Sequence, residues 1–353
     1  MEGAMEKEEL LQMLKMHGEG MKKLSLSMAI IYEDEIHKFY YDGENIIEEV
    51  PQLIYEIGSV TKTFTAALLM KLVSEGKIKL SDSIDRFFPE VKWNLDEFNR
   101  NVAVPTILQL VTHTSGMGND IDCSTEEAGM KLEKKLMKFT GDFENDCIYG
   151  YLDEEDYIET LRAVNWDKVD HEFQYSNIGL SLLGIILQRV TGMTYDKAMQ
   201  QYINEELGLK NTWLDMPRKV PEGYSIATPI GINQGEKDHW IWNRKIGMAA
   251  GGIYSSLEDM ISYMKSYLTN TPQYLNDCHN KQLAYSDVNN FGIGVTWIKD
   301  GDITWHNGAT GCFHSFVGFN KKHNMAVVIL ENHHEINEIS IDDIGRKILA
   351  LLI

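Results

Sequence analysis

Positive charge is scarce in this sequence: 33 Lys and Arg stand against 53 Asp and Glu, a formal net charge of -20. Proteins that bind polyphosphate backbones do so by releasing counterions with Lys and Arg, so nucleic acid is not expected as a partner. The acidic residues are scattered rather than run together, which reads as a solvated surface and not as a recognition tail. Long apolar runs are also missing. None approaches the roughly 18 residues that a membrane span needs, and the opening "MEGAMEKEELLQMLKMHGEG" lacks the basic start and apolar centre of a signal peptide. As written the chain reads as soluble, and its localisation stays open between cytoplasmic and, with a trimmed leader, extracellular. Cysteine is sparse. Cys123, Cys147, Cys278 and Cys312 lie far apart with no CxxC pair, so zinc-ribbon spacing is excluded. Reduced thiols are expected, with a Cys123–Cys147 bridge as the alternative. No internal repeat and no low-complexity linker divides the chain.

What is present is an ordinary globular composition, 43% apolar over 353 residues, enough for one large domain or two modest ones with a packed core. "EKEELLQMLKM" has helical apolar spacing, and "LSLSMAIIYEDEIHKFYYDG" reads as two strands joined by a tight acidic turn. A buried helix follows from Ser59 to Glu75 and stops at Gly76, the residue type that most easily takes a left-handed C-terminal cap. "TILQLVTH", "DYIETLRAV" and "GLSLLGIILQRVTG" are helical, with an irregular polar piece from Asn119 to Asp156. "GIYSSLEDMISYMKSYL" is a helix with Ser256 as N-cap and Asp259 at capping-box distance. Beyond it, three or four strands punctuated by "KDGD" and "NKKHN" turns form an antiparallel meander, and "ISIDDIGRKILALLI" closes the chain as a helix with one apolar face. The fold class expected is α/β of the α+β type, an antiparallel sheet formed from both chain ends and flanked by helices. Residues 1–92 and 235–353 would form the α/β sheet region and residues 93–234 a mostly helical insertion, together one catalytic unit.

Three short stretches carry chemistry. In "IGSVTKTF", Ser59 and Lys62 are one helical turn apart, so their side chains share a face. A Ser hydroxyl is a poor nucleophile until a positioned base takes its proton, and Lys62 is placed to take part once burial or a neighbouring charge adjusts it. In "FQYSNIGLSLLG", Tyr175 offers a phenol that can relay protons, and Asn177 an amide able to hold both Lys62 and a substrate carbonyl. In "WHNGATGCF", Gly308 permits close backbone approach and the strand edge can offer an N–H to an oxyanion. Taken singly, each also fits a plain structural role: a helix cap, a half-buried Tyr before a Ser-Asn cap, a hairpin turn.

In this order, Ser-Val-Thr-Lys, Tyr-Ser-Asn and His-Asn-Gly resemble the penicillin-recognising serine hydrolases, the branch of class C β-lactamases, D-alanyl-D-alanine carboxypeptidases and related esterases. "TILQLVTHTSGM", "LGLKNTWL" and "AAGGIYSSLEDM" resemble further landmarks of that family, and the likeness covers roughly residues 25 to 335. It implies the β-lactamase/transpeptidase-like fold and assigns roles by position. Ser59 would form an acyl-enzyme, Lys62 would activate it, and Tyr175 would shuttle protons. Asn177, His306, Asn307, Gly308 and Ala309 would bind substrate, with the backbone N–H groups of Ser59 and Ala309 as the oxyanion hole. Whether Lys62 or Tyr175 is the acylation base stays open.

One departure bears on substrate. Where class C enzymes have Lys-Thr-Gly, this chain has His306-Asn307-Gly308. A neutral His attracts a carboxylate less than Lys does, so the pattern is similar to carboxypeptidase and esterase members rather than to efficient lactamases. The function expected is a serine hydrolase acting on an amide or ester, above all a D-amino-acid peptide. A carboxylesterase or weak β-lactamase is the alternative, and from another class a penicillin- or peptidoglycan-binding sensor that does not turn over. No cofactor and no metal are expected: in "NHHE" the adjacent His residues would point to opposite faces of a strand. The partner is a small molecule or peptide, and the oligomeric state is open. His113 is expected to brace the fold, Cys312 to be a packed thiol, and Trp305 and Phe313 to serve packing. Trp240 and Trp242 are candidates to line a pocket, and the stretch 119 to 165 to wall it.

Overall fold

A computed structural model describes residues 7–33, 35–93, 104–118, 152–242, 245–286, 291–334 and 338–351. Cys123, Cys147 and the greater part of the irregular piece from Asn119 lie outside the described residues, and so do the expectations that rest on them.

Among the described residues the main sheet has nine strands. They are β1 (Leu26–Tyr32), β2 (Glu35–Tyr41), β3 (Ile46–Ile47), β8 (Leu283–Ser286), β9 (Phe291–Ile293), β10 (Ile298–Asp300), β11 (Ile303–Ala309), β12 (His314–Asn320) and β13 (Met325–Glu331). Their order, β3-β2-β1-β13-β12-β11-β10-β9-β8, places β1 from the chain start beside β13 from near its end, antiparallel throughout. Both chain ends therefore build one sheet, as the sequence implied. The meander contains more strands than expected, because β9 and β10 are only three residues long and short strands show little alternation.

Both faces of this sheet are covered, and β13 shows it residue by residue. Met325, Val327 and Ile329 enter one apolar cluster, while Ala326, Val328 and Leu330 enter the other. A strand buried on both faces reads as a continuous apolar run, as "MAVVILE" does. The smaller cluster lies under α1 (Lys7–His17) and the closing helix α10 (Ile341–Ala350), whose N-cap Ser340 forms a full capping box with Asp343. The larger cluster holds α2 (Thr61–Ser74), α3 (Ile107–Val111), α4 (Glu154–Ala163), α5 (Asn177–Thr191), α6 (Tyr195–Gln201), α7 (Met248–Gly251), α8 (Leu257–Thr269) and α9 (Leu275–Cys278).

A second sheet, absent from the sequence reading, joins β4 (Leu53–Glu56), β5 (Thr212–Leu214), β6 (Ser225–Ile226) and β7 (Ile253–Ser256) in the order β5-β7-β4-β6. It delivers the chain from β4 into α2 beside β7. Among its neighbours, α2 is buried from Thr61 to Met70, so it crosses the interior rather than lying on it. It ends as foreseen. Gly76 takes φ +70°, its N–H donates to Val73 O at 2.9 Å, and the Lys77 N–H reaches Leu72 O at 3.0 Å, closing a Schellman cap. Ser256 does cap α8, but Asp259 does not complete a box: its carboxylate accepts instead from Asn211 N at 2.6 Å and Thr212 Oγ1 at 2.7 Å. Among the described residues no single helix is long and apolar enough to cross a membrane. Cys278 and Cys312 are both buried.

Candidate active site

Ser59 sits in a single 3-10 turn, Gly58–Val60, that runs straight into α2. The turn begins on Gly58 with φ +48°, a left-handed value where a side chain would be strained. A Cβ there would also lie 2.6 Å from both the N and the O of Ala309, so glycine is what lets the nucleophile turn touch β11. Gly308 makes the reciprocal contact. A Cβ on it would fall 2.1 Å from Ile57 O and 2.8 Å from Ser59 N. Ser315, opposite Gly308 on β12, ties the two elements together by donating its hydroxyl to Ile57 O at 2.8 Å.

This contact also sets where two backbone N–H groups lie. The Thr310 N–H donates to Phe313 O at 3.0 Å and closes the β11–β12 hairpin. Antiparallel ladders alternate bonded and non-bonded pairs, so the next pair, Ala309 with His314, turns the Ala309 N–H away from β12 and toward the nucleophile turn. Ser59 N, in the turn that leads into α2, and Ala309 N thus both lie where the nucleophile turn and β11 touch.

Lys62, the second residue of α2 and one turn after Ser59, is fully buried, and its Nζ lies within hydrogen-bond distance of three oxygens: Ser59 Oγ at 2.9 Å, Asn177 Oδ1 at 2.6 Å and Ala250 O at 2.7 Å. Asn177 is held because it opens α5, behind the N-cap Ser176, whose hydroxyl accepts from Gly179 N. Tyr175, just before that cap, hydrogen-bonds Ser59 and lies with its ring centroid 4.8 Å from Lys62 Nζ. Burial pushes its phenol above the ordinary range, with the Ser59 bond pulling the other way, so Tyr175 rests protonated.

His113 braces this group. Its Nδ1 accepts the Ser176 N–H at 3.1 Å, and its ring lies 4.6 Å from that of Tyr175 at 32°. Burial, and then the Lys62 charge, hold it well below the usual histidine range. His306 is buried on the site face of β11. Burial first and the Lys62 charge second lower it to about 4, and its Nδ1–H donates to Asn307 O at 2.5 Å. A neutral ring with its lone pair on Nε2 therefore stands where the Lys-Thr-Gly pattern would place an ammonium.

The structure brings together Ser59, Lys62, Tyr175, Asn177, His306, Gly308 and Ala309. It does not bring Asn307. Strand alternation turns that side chain to the opposite face of the sheet, where its Nδ2 donates to Asp342 Oδ2 at 2.6 Å. The expected place of Asn307 among the substrate-binding side chains is corrected accordingly. Trp305 shares that far face, stacked on Phe316 at 5.9 Å, and Phe313 meets Tyr55 edge-on at 6.3 Å. The His333 Nε2 lies 3.3 Å from Gln234 Nε2, while the His334 ring lies 5.3 Å from that of His314, so the two adjacent rings have different partners.

Two features were missed by sequence. The Ala250 carbonyl is one, since backbone acceptors leave no residue-type signal. The other is Glu56, buried three residues before Ser59, which accepts from Tyr254 OH at 3.0 Å and from Trp240 N at 3.3 Å and bonds His239 Nδ1 at 2.8 Å. It anchors the loop that carries Trp242 to the site: a Cβ on Gly251 would lie 3.6 Å from Trp242 and 3.8 Å from Gly58 C. Trp240 crosses Trp242 edge-on at 6.2 Å. The acid in "YEIGSV" was visible, but its partners are some 180 residues away in sequence.

Comparison with known proteins places the chain in a family. The chain is 27% identical over 309 residues to Protein flp of Staphylococcus aureus (strain MW2), covering 83% of this chain and 55% of that protein. It is 26% identical over 243 residues to a Beta-lactamase of Providencia stuartii, covering 68% of this chain and 54% of that one. The chain thus spans about half the length of the curated relatives it matches. Among solved structures, the octameric penicillin-binding protein homologue from Pyrococcus abyssi superposes with a TM-score of 0.74 at 24% identity, over 99% of this chain and 77% of that one. A class C beta lactamase from Rhodobacter sphaeroides superposes with a TM-score of 0.67 at 18% identity, over 92% and 93%. These likenesses share the fold. The family model for Beta-lactamase matches residues 15–351, so the chain belongs to the beta-lactamase family.

Proposed function

We propose that the protein hydrolyses an amide or ester through an acyl-enzyme on Ser59, with D-amino-acid peptides as its substrate class. The observation that carries this reading is the Lys62 ammonium shared between Ser59 Oγ and Asn177 Oδ1, with the Tyr175 phenol bonded to the same hydroxyl. Ser59 Oγ accepts from Lys62, which leaves its own proton free to pass to Tyr175.

The substrate carbonyl oxygen takes the spot between Ser59 N and Ala309 N. As Oγ attacks, its proton moves to the Tyr175 oxygen while the phenolic proton passes to the leaving group, so no net proton is gained or lost. The bond to the leaving group breaks and the acyl group stays on Ser59. Water then attacks the ester carbon, its proton passing through Tyr175 to Oγ as the bond between Oγ and the acyl carbon breaks and the acid product leaves. Lys62 stays charged throughout, favouring each species in which Ser59 or Tyr175 bears negative charge. Tyr175 is thus the direct proton acceptor and Lys62 its electrostatic partner.

A carboxylester is the second reading. It is favoured by His306 being held neutral and by Asn307 being turned away, since the third motif then offers no cation and no side-chain amide to a substrate carboxylate. The test is turnover of p-nitrophenyl acetate, a D-alanyl-D-alanine peptide and benzylpenicillin by wild type and Ser59→Ala. Ser59-dependent release of D-alanine supports the peptidase, Ser59-dependent cleavage of the ester alone moves the assignment to an esterase, and activity retained in Ser59→Ala rejects both.

A further inference from the structure

Behind the oxyanion strand, on the face away from Ser59, lies a chain of ionisable side chains that the mechanism does not use. Asn307 Nδ2 donates to Asp342 Oδ2 at 2.6 Å, and the other oxygen of Asp342 lies 3.3 Å from His314 Nε2. His314 Nδ1 is 3.5 Å from Glu331 Oε1, and Glu331 Oε2 accepts from His17 Nε2 at 2.7 Å. His17 Nδ1 in turn donates to Ile339 O at 2.9 Å. Five segments that are distant in sequence meet here: α1, the end of β13, the start of β12, the start of α10 and β11.

Position and cost both bear on what this chain of groups does. His314 is the register partner of Ala309, and Glu331 is the register partner of His314, so the network stands level with the oxyanion donor. His17 and Glu331 are fully buried and His314 is 3% exposed. Ion pairs this deep return little net stability, because desolvation cancels most of their attraction. What they do supply is direction: charged contacts at 3.3 and 3.5 Å around His314, and the 2.6 Å bond from Asn307 to Asp342, hold Asn307, and so the peptide units leading to Ala309, against α10.

We infer that Asp342 and His314 are positioning residues for the oxyanion strand, acting on Ala309 N through the bond to Asn307. The inference rests on the acyl-enzyme reading of Ser59. A displacement of about 1 Å in a reacting or stabilising group can cost a hundredfold in rate, so loss of this tie lowers kcat while leaving the pocket that sets KM in place. The groups facing His314 are Glu331 from β13, Asp342 from α10, His17 from α1 and His334 beyond β13. Burial alone would lower His314, but Asp342 and Glu331 together raise it to about 9. It is therefore an imidazolium at neutral pH and loses its proton, and its hold on Asp342, on the alkaline side.

The experiment is a double-mutant cycle with steady-state kinetics on the substrate found above, alongside Ser59→Ala. Asn307→Ala removes the tie and leaves all four ionisable groups intact, so it guards against a folding failure in Asp342→Ala. Each single change is expected to lower kcat by about tenfold to a hundredfold with KM within about twofold, and the double variant to be no worse than the poorer single. Asp342→Asn, whose amide oxygen still accepts from Asn307, is expected to restore most of the rate and to flatten the decline in kcat near pH 9. Wild-type kcat in Asn307→Ala, or losses that multiply in the double variant, overturn the inference while leaving Ser59 in its role. Full activity in Ser59→Ala overturns both.

Discussion

Gly308→Ala puts one methyl group where β11 meets the nucleophile turn, and the consequence can be worked from distances. The added Cβ would stand 2.1 Å from Ile57 O, 2.7 Å from Ser315 Oγ and 2.8 Å from Ser59 N. Ser315 is a side chain and can rotate, at the cost of its bond to Ile57 O. Ile57 O and Ser59 N are backbone and cannot. An ordinary contact requires the strand and the turn to part by about 1 Å, which widens the space between Ser59 N and Ala309 N by a similar amount. Loss of one oxyanion donor costs about 100- to 1,000-fold in kcat. Overpacking adds a stability loss of about 1–3 kcal/mol. The assay is kcat for the best substrate together with a thermal melt, with Gly235→Ala as control, because a Cβ at Gly235 meets nothing within 4 Å. If Gly308→Ala keeps kcat within threefold of wild type while folded, the oxyanion geometry described here is wrong.

Tyr175→Phe removes the relay but keeps the ring against His113 and Lys62, and is expected to lower kcat at least about 100-fold; a twofold loss in steady-state turnover would remove Tyr175 from the proton path. Stability should depend on pH in a stated direction on each side of neutrality. His306 and His279 are lowered by burial, to about 4 and about 3. The unfolded chain, with histidines near 6.5, binds their protons first, so stability is full above about 6.5 and falls as pH drops toward 4. His314 is raised to about 9, so its contribution is full below 6.5 and is lost as pH rises through 9. Urea midpoints across this range check both limbs: His306→Gln should weaken the acid limb and leave the alkaline one, and unchanged acid dependence would contradict the assignment.

The parts of the site that sequence revealed are those with a local rule. Ser59 and Lys62 share a face because they are one helical turn apart, and Tyr175 and Asn177 flank an N-cap that Ser176 signals by type. The orientation of Asn307 also had a local rule. His306 and Gly308 share a face of β11, so the residue between them points away; that alternation was applied to the His333-His334 pair and not to the third motif. Other features have no local signature. β6 is two residues long and forms only by pairing with β4, and the His17–Glu331–His314–Asp342 chain exists only once α1, β12, β13 and α10 are packed together. Main-chain groups such as Ala250 O act irrespective of side chain, so no residue type marks them.

The central claim is that Ser59 is the nucleophile, and intact-protein mass after reaction with a fluorophosphonate tests it without knowledge of the natural substrate. The account predicts one phosphonyl adduct on the wild-type chain, mapped to the peptide containing Ser59 and lost in Ser59→Ala, with slower labelling in Tyr175→Phe. Equal labelling of Ser59→Ala, or an adduct mapped to another residue, would contradict it.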